Sequence, residues 1–294
     1  MADRLILVFG RTGQVGTELA QHRLPEGWSS RSLSRREVDL TDRERIAEAI
    51  GSFAPVAVIN AAAYTAVDAA EEDMGQAMAI NRDAPAQMAA ACHLRNIPLL
   101  HVSTDYVFDG HKDAPYTEDD PVSPVSVYGA SKAAGEAAIR SRTDAFLILR
   151  TSWVFSPFGR NFVRTMIKLV DAPTVEVVND QTGAPTAAAD IAHVLLTLAV
   201  RLVDGGCDSG YGTFHYTGGG STTWYGFASA IFSDLTARGR RTPQLLPIKT
   251  EEYLAPAQRP SNSRLDCSRI VAVHGIRLRP WREALAICLA ELAG

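Results

Sequence analysis

No uninterrupted apolar stretch of this chain approaches the roughly 18 residues that a membrane-spanning helix needs, so no membrane partner is expected. Cysteine is scarce, with four in 294 residues. Cys92, Cys207, Cys267 and Cys288 make no C-x-x-C pair and sit among apolar or small neighbours. That pattern predicts free thiols in a reducing compartment and excludes a disulfide framework. The seven histidines form no H-x-x-H or H-x-x-x-H pair, so no dedicated metal site is expected. Charge of one sign is also lacking. A net charge of −4 offers no basic surface for nucleic acid or for an anionic membrane. The first residues follow a strand pattern with no basic-then-apolar leader. Internal repeats and low-complexity linkers are absent. These exclusions leave a cytoplasmic globule as the expectation. What is present, 46% apolar and 21% charged residues, suffices to bury a core. The length suits one large domain or two interleaved lobes.

Arg4–Phe9 (RLILVF) is continuously apolar after its first residue, as in a strand buried on both faces of a parallel sheet. Further strands are predicted at 31–34, 56–60, 98–103 and 146–149. Between them, Thr41 and Glu44 are spaced as a capping box ahead of a stripe of Ile46, Ile50 and Phe53. A long Ala- and Met-rich helical stretch is expected over 72–93, with a restart at 83–85. Alternating strands and helices predict an α/β fold, a doubly wound parallel sheet of Rossmann type. The second half is less regular. A strand at 175–178, helices at 190–202, 224–238 and 281–292, and a turn at 218–220 suggest a smaller C-terminal α/β lobe. The expected division is a dinucleotide-binding domain over 1–153 and a mainly substrate-binding lobe over 154–294, with about 174–217 returning to the sheet.

Gly10, Gly13 and Gly16 stand between the first strand and a helix. Three glycines alone are weak evidence; in this context they make a dinucleotide fingerprint. Gly10 allows the tight turn, Gly13 the approach of pyrophosphate, and Gly16 close helix packing. Thr12, Gln14 and Val15 complete the cradle, with the phosphates on the helix N-terminus. NAD-preferring sites place Asp or Glu at the end of the second strand. Here that position is Ser34, followed by Arg35 and Arg36. Two guanidiniums can pair with a 2′-phosphate, so NADPH is expected, with NADH left open. The alternative is two solvated loop arginines. Asp39 and Leu40 border the adenine, or Asp39 only holds the turn. Ala61, Ala62 and Ala63 after the third strand suit a backbone pressed against a cofactor, or simple tight packing.

Tyr128 and Lys132 lie four residues apart in VYGASKAAGE, so a helix puts both on one face. Unperturbed tyrosine titrates near ~10; a neighbouring ammonium favours the phenolate and lowers that value. The pair reads as an acid/base device, or as an exposed helix pair worth a few tenths of a kcal/mol. Thr104 ends the fourth strand, where ligands of open α/β sheets bind. Its hydroxyl can hold a carbonyl oxygen or fill a local turn.

In order along the chain stand GRTGQVG, INAAAYTAVD, STDYVFDG, VYGASKAAGE, RTSWVF, NDQTGAPT, TTW and RPSNSRLD. This set resembles the extended short-chain dehydrogenase/reductases that act on nucleotide sugars, and among them the dTDP-4-dehydrorhamnose reductases. The resemblance covers nearly the whole chain. It implies NADPH-dependent reduction of the C4 ketone of dTDP-4-dehydro-β-L-rhamnose, with Thr104, Tyr128 and Lys132 catalytic. It further implies that Val102, Tyr128 and Lys132 contact the cofactor, and that Thr65 and Val67 border the nicotinamide and sugar. Asp105 and Trp153 would then lie on the sugar side, and Arg259 on the diphosphate. Dehydratase relatives carry Thr-Asp-Glu where this chain has Thr104-Asp105-Tyr106, which argues for a plain reductase. Some relatives pair through Mg²⁺. Glu18 matches one ligand, but the segment ending in Asp190 has fewer acids than that pattern needs, so Mg²⁺ and the choice of monomer or homodimer are left open. Two other readings stand: a reductase of a related dTDP-4-keto-6-deoxy sugar, and a non-catalytic subunit like the regulatory subunit of methionine adenosyltransferase.

Overall fold

The computed structural model describes residues 4–205 and 210–293, and Cys207 lies outside them. β1 (Arg4–Phe9) leads into α1 (Gln14–Gln21), and β2 (Trp28–Leu33) into α2 (Arg43–Phe53). β3 (Ala57–Asn60) leads into two short helices, α3 (Val67–Ala70) and α4 (Met74–Met78). A π-helical turn, Ala79–Asp83, joins α4 to α5 (Ala84–His93). Then come β4 (Leu99–Thr104), α6 (Val127–Arg140) and β5 (Phe146–Thr151). The second half holds β6 (Val154–Phe155), α7 (Phe162–Lys168), β7 (Thr174–Val178), β8 (Thr182–Gly183) and β9 (Thr186–Ala187). It continues with α8 (Ala188–Val203), β10 (Gly212–His215), β11 (Thr222–Thr223) and α9 (Trp224–Ala237). β12 (Gln244–Ile248), α10 (Ser268–His274) and α11 (Trp281–Ala293) close the chain.

Six strands form one parallel sheet in the order β10-β5-β4-β3-β1-β2. The period-two alternation of strand side chains sends Ile6 and Val8 of β1 to one face, with α1 and α8. Leu7 and Phe9 go to the other face, with α2 and α5. Both faces are therefore covered, which is why β1 reads as continuously apolar. The chain reverses direction across the sheet at β1, between β2 and β3, and such a switch point opens a crevice at the carboxyl ends of the strands. A separate apolar cluster, with Phe155, Val163, Phe227, Trp281 and Leu285, packs the second lobe. Its β7 pairs with β12 apart from the main sheet, while β10 joins the main sheet as an edge strand.

Three elements differ from their sequence signals. β2 begins at Trp28, because Ser29, Ser30 and Arg31 are held by backbone pairing with Leu5, Ile6 and Leu7 rather than by apolar side chains. α2 is capped by Asp42, whose carboxylate accepts from the Arg45 N–H at 3.0 Å; the Thr41 hydroxyl is taken instead by Asp39. The expected 72–93 helix is broken by the π turn. Pro85 has no N–H to return to the Asn81 carbonyl, and that carbonyl presses on Gly135 of α6, where a Cβ would stand 2.0 Å away.

Candidate active site

Gly10 follows β1 with φ of +107°, a conformation open to glycine and strained for other residues. A Cβ there would come within 2.7 Å of the Ala62 nitrogen. At Gly16 a Cβ would lie 1.9 Å from the Gly10 oxygen, so α1 can seat on the turn only without a side chain. Gly13 differs: it is the N-cap of α1, and a Cβ there would meet only the Gly10 oxygen, at 3.5 Å. Its outer face opens onto the crevice, beside the free N–H groups of the helix start. That open cradle fits a pyrophosphate.

The crevice has a volume of about 810 Å³. It brings together Gly10, Thr12, Gly13, Gln14 and Val15 with Ser34, Arg35, Asp39 and Leu40 at one end. Ala61, Ala62, Ala63, Thr65 and Val67 line its middle. Val102, Thr104, Asp105, Tyr128, Lys132 and Trp153 line the other end. Gly16, Arg36 and Arg259 do not line it. Gly16 acts through packing, Arg36 is exposed, and Arg259 makes bonds of 3.0 and 2.9 Å to Asp68. Arg35 donates to Asp39 at 3.2 Å in an exposed pair, a contact too weak to withhold it from a ligand. Glu37 lies closer to the strand end than the sequence signalled: its carboxylate accepts from the Ser34 N–H and hydroxyl, both at 2.8 Å. Arg31 answers that charge at 2.7 Å.

α6 starts at the N-cap Ser126, whose hydroxyl accepts from the Gly129 N–H at 3.1 Å. Gly129 seats the helix against the Tyr106 carbonyl, where a Cβ would be 2.2 Å away. The seat fixes Tyr128 edge-on to Tyr106, ring centres 5.7 Å apart. Burial pushes the Tyr128 phenol up to about 12, with the Thr104 hydroxyl beside it working the other way. The expected depression by Lys132 is therefore not what governs the phenol here. Lys132 instead donates from Nζ to the Val102 carbonyl at 2.7 Å, and the same Nζ stands 3.1 Å from His101 Nε2. Burial lowers Lys132 to about 8. Thr104 donates to Asp105 Oδ1 at 2.9 Å, while Oδ2 of that buried carboxyl has no protein partner. Burial raises Asp105 to about 7.

Trp153 stacks on Trp224, ring centres 3.6 Å apart and 7° from parallel. Gly183 makes room for it, since a Cβ would lie 2.4 Å from the indole. Among the described residues, no three His, Cys, Asp or Glu side chains converge to hold a metal ion, and no helix is long and apolar enough to cross a membrane. Cys92, Cys267 and Cys288 are free and buried.

Residues 4–293 match the family model described as RmlD substrate binding domain. The chain belongs to this family. Among its relatives, dTDP-4-dehydrorhamnose reductase of Burkholderia thailandensis is 42% identical, with 98% of each chain covered. That of Sinorhizobium fredii is 41% identical over 95% of this chain and 94% of the other. The crystal structure of dTDP-4-dehydrorhamnose reductase from Bacillus anthracis in complex with NADP superposes with a TM-score of 0.91. It is 32% identical and covers 99% of this chain and 100% of that one. The fold is the Rossmann-type parallel α/β sheet with a second lobe, and like these relatives the chain is an oxidoreductase of nucleotide-sugar biosynthesis.

Several side-chain contacts of this family member escaped sequence reasoning. Asn81, presented by the π turn, bonds Tyr64 N–H at 2.8 Å and Ser131 Oγ at 2.9 Å, tying the loop after β3 to α6. Gln14 accepts from Ser156 and Asn161 at 3.1 and 2.9 Å, tying the glycine turn to the second lobe. His101 was also unmarked, and Glu136 and Trp224 stood within VYGASKAAGE and TTW with no role of their own. The short apolar 175–178 run and the TTW motif gave no hint of the stacking partner of Trp153, because a contact over 71 positions leaves no local period.

Proposed function

We propose that this chain reduces the C4 ketone of dTDP-4-dehydro-β-L-rhamnose to dTDP-β-L-rhamnose with NADPH. One observation carries the reading: a glycine cradle open at Gly13 shares a single crevice with Thr104, Tyr128 and Lys132, in a chain matching reductases of this substrate end to end. The lobe over 154–294 supplies the sugar side, with Trp153 at the boundary stacked on its Trp224, and 1–153 the dinucleotide side.

When bound, the reduced nicotinamide supplies hydride to the carbonyl carbon. Tyr128 gives its phenolic proton to the carbonyl oxygen as that oxygen gains charge, and solvent later restores the proton. A phenol pushed up by burial stays protonated at neutral pH, as a general acid must. Thr104 turns its hydroxyl from Asp105 to the same oxygen and stabilises the developing alkoxide. Lys132, one turn from Tyr128, steadies the phenolate left behind and bonds the cofactor ribose. Val67 and Thr65 shape the wall between nicotinamide and sugar. Product analysis by NMR tests the whole: incubation with NADPH and the 4-keto sugar is expected to yield the L-rhamno product, and a C4 epimer or an unreduced ketone sinks the proposal.

Cofactor choice follows from the Ser34 end of the crevice. Arg35 lines it and Arg36 does not. A hydrogen bond to a charged group contributes roughly 1.5–3 kcal/mol, and exposure reduces that. Arg35→Ala is expected to lower the NADPH/NADH ratio of catalytic efficiencies by about tenfold, while Arg36→Ala leaves it unchanged. A ratio indifferent to Arg35 removes it from phosphate recognition.

A further inference from the structure

The hydrogen bonds behind Lys132 have a direction that starts at the backbone. The Ala62 N–H, which can only donate, reaches Asn60 Oδ1 at 3.1 Å. Only an amide oxygen can accept that bond, so the Asn60 amide is fixed in orientation. Its NH₂ group then stands 3.0 Å from His101 Nδ1 and can only donate. Nδ1 must therefore accept, and the single proton of a neutral imidazole is placed on Nε2. That Nε2–H faces Lys132 Nζ at 3.1 Å. Asn60 and His101 are fully buried and Lys132 nearly so, so water is not at hand to substitute for a mismatched bond.

Every bond of this chain is satisfied only when Nζ offers a lone pair, that is, when Lys132 is an amine. An ammonium sets N–H against N–H. The other imidazole tautomer would accept from the ammonium but would put two donors face to face at Asn60. We propose that His101, oriented by Asn60, is a positioning residue that sets the protonation equilibrium of Lys132, so that Lys132 changes charge during the working pH range instead of remaining a fixed cation. The inference deepens the reading of Lys132 as the partner of Tyr128 and rests on it for its catalytic consequence.

The surrounding charges do not cancel the effect. On α6, Glu136 favours the charged lysine, but its carboxylate is engaged by Ser103, by Arg150 of β5 and by Arg140. Tyr128 on α6 and Asp105 after β4 are raised by burial, which favours their neutral forms. His215 of β10 contacts Arg150 and is held neutral. Burial of Lys132 itself acts in the same direction as the chain.

The test uses the full-length protein. With four lysines and seven histidines in the sequence, ¹⁵N-labelled histidine and lysine give few signals, and His101→Gln and Lys132→Met assign them. His101 is expected to be neutral with its proton on Nε2 from about pH 6 to 8. A proton on Nδ1 overturns the proposal. Asn60→Asp replaces the donor with a second acceptor, so the imidazole proton should move to Nδ1 and Nε2 should accept from the ammonium. The Lys132 titration is then expected to rise by about one pH unit, and the alkaline limb of kcat to move with it. An unchanged titration in a folded Asn60→Asp protein also overturns it. If that variant does not fold, the wild-type tautomer still decides. A correct tautomer combined with full activity of Tyr128→Phe would instead remove the catalytic reading and leave the chain's polarity intact.

Discussion

Tyr128→Phe is expected to slow turnover by about 10²- to 10⁴-fold at saturating substrate, the usual loss when a general acid is removed. The change deletes one oxygen and keeps the ring. Packing against Tyr106 at 5.7 Å is retained, and so is the seat of α6 on Gly129. Cofactor affinity should change little, since the cradle of Gly10 and Gly13 lies at the far end of the crevice. The informative pair of measurements is kcat with saturating keto sugar and NADPH binding followed by fluorescence. Near-normal kcat would mean that the proton comes from another group, of which buried Asp105, raised to about 7, is the nearest. A loss of NADPH binding with unchanged kcat would make Tyr128 a cofactor ligand only.

Glu136→Gln is expected to destabilise the fold by about 3–5 kcal/mol, the range for removing one partner of a buried ion pair. Glu136 is fully buried and accepts four bonds: from Ser103 at 2.6 Å, Arg150 at 2.9 and 2.7 Å, and Arg140 at 2.7 Å. An amide cannot accept on both sides, and Arg150, itself 1% exposed, would keep a charge with no counterion. Burial works against the ionised carboxyl, but Arg150, Ser103 and Arg140 together outweigh it and hold Glu136 below the ordinary value. A depressed folded pKa contributes stability above the unfolded value, and that contribution is lost as pH falls through the folded value. The gap between wild type and variant should therefore be full at neutral pH and narrow below about pH 4. Urea unfolding at both pH values measures it. A neutral-pH loss under about 1 kcal/mol would show that the site relaxes or hydrates around Arg150.

The features legible in the sequence are those whose cause is local. β1 shows in five consecutive apolar residues, Leu5 to Phe9, because both of its faces are covered. The glycine turn shows because φ of +107° at Gly10 and the contact of Gly16 with Gly10 exclude side chains. Tyr128 and Lys132 show because one helical turn separates them. The expected 31–34 strand came out short because backbone pairing with β1 extends polar residues without any apolar signal. Thr41 and Asp42 both fit an N-cap, and Asp39 decided between them by taking the Thr41 hydroxyl. Arg259 pairs with Asp68 across 191 positions, a contact that no motif signals.

By itself, then, the sequence determined the parallel α/β sheet, the glycine cradle and the pairing of a phenol with a lysine, since each depends on spacing within one or two elements. Tertiary structure alone decided what surrounds them. Asn60, His101 and Lys132 come from β3, β4 and α6, and they meet only because those strands are neighbours in the sheet. Trp153 meets Trp224 at the start of α9, and Glu136 of α6 meets Arg150 of β5, likewise only through tertiary packing. Hydrogen-bond direction and burial act over a few ångströms of space, and spacing along the chain carries no record of which distant residues the strand order will bring that close.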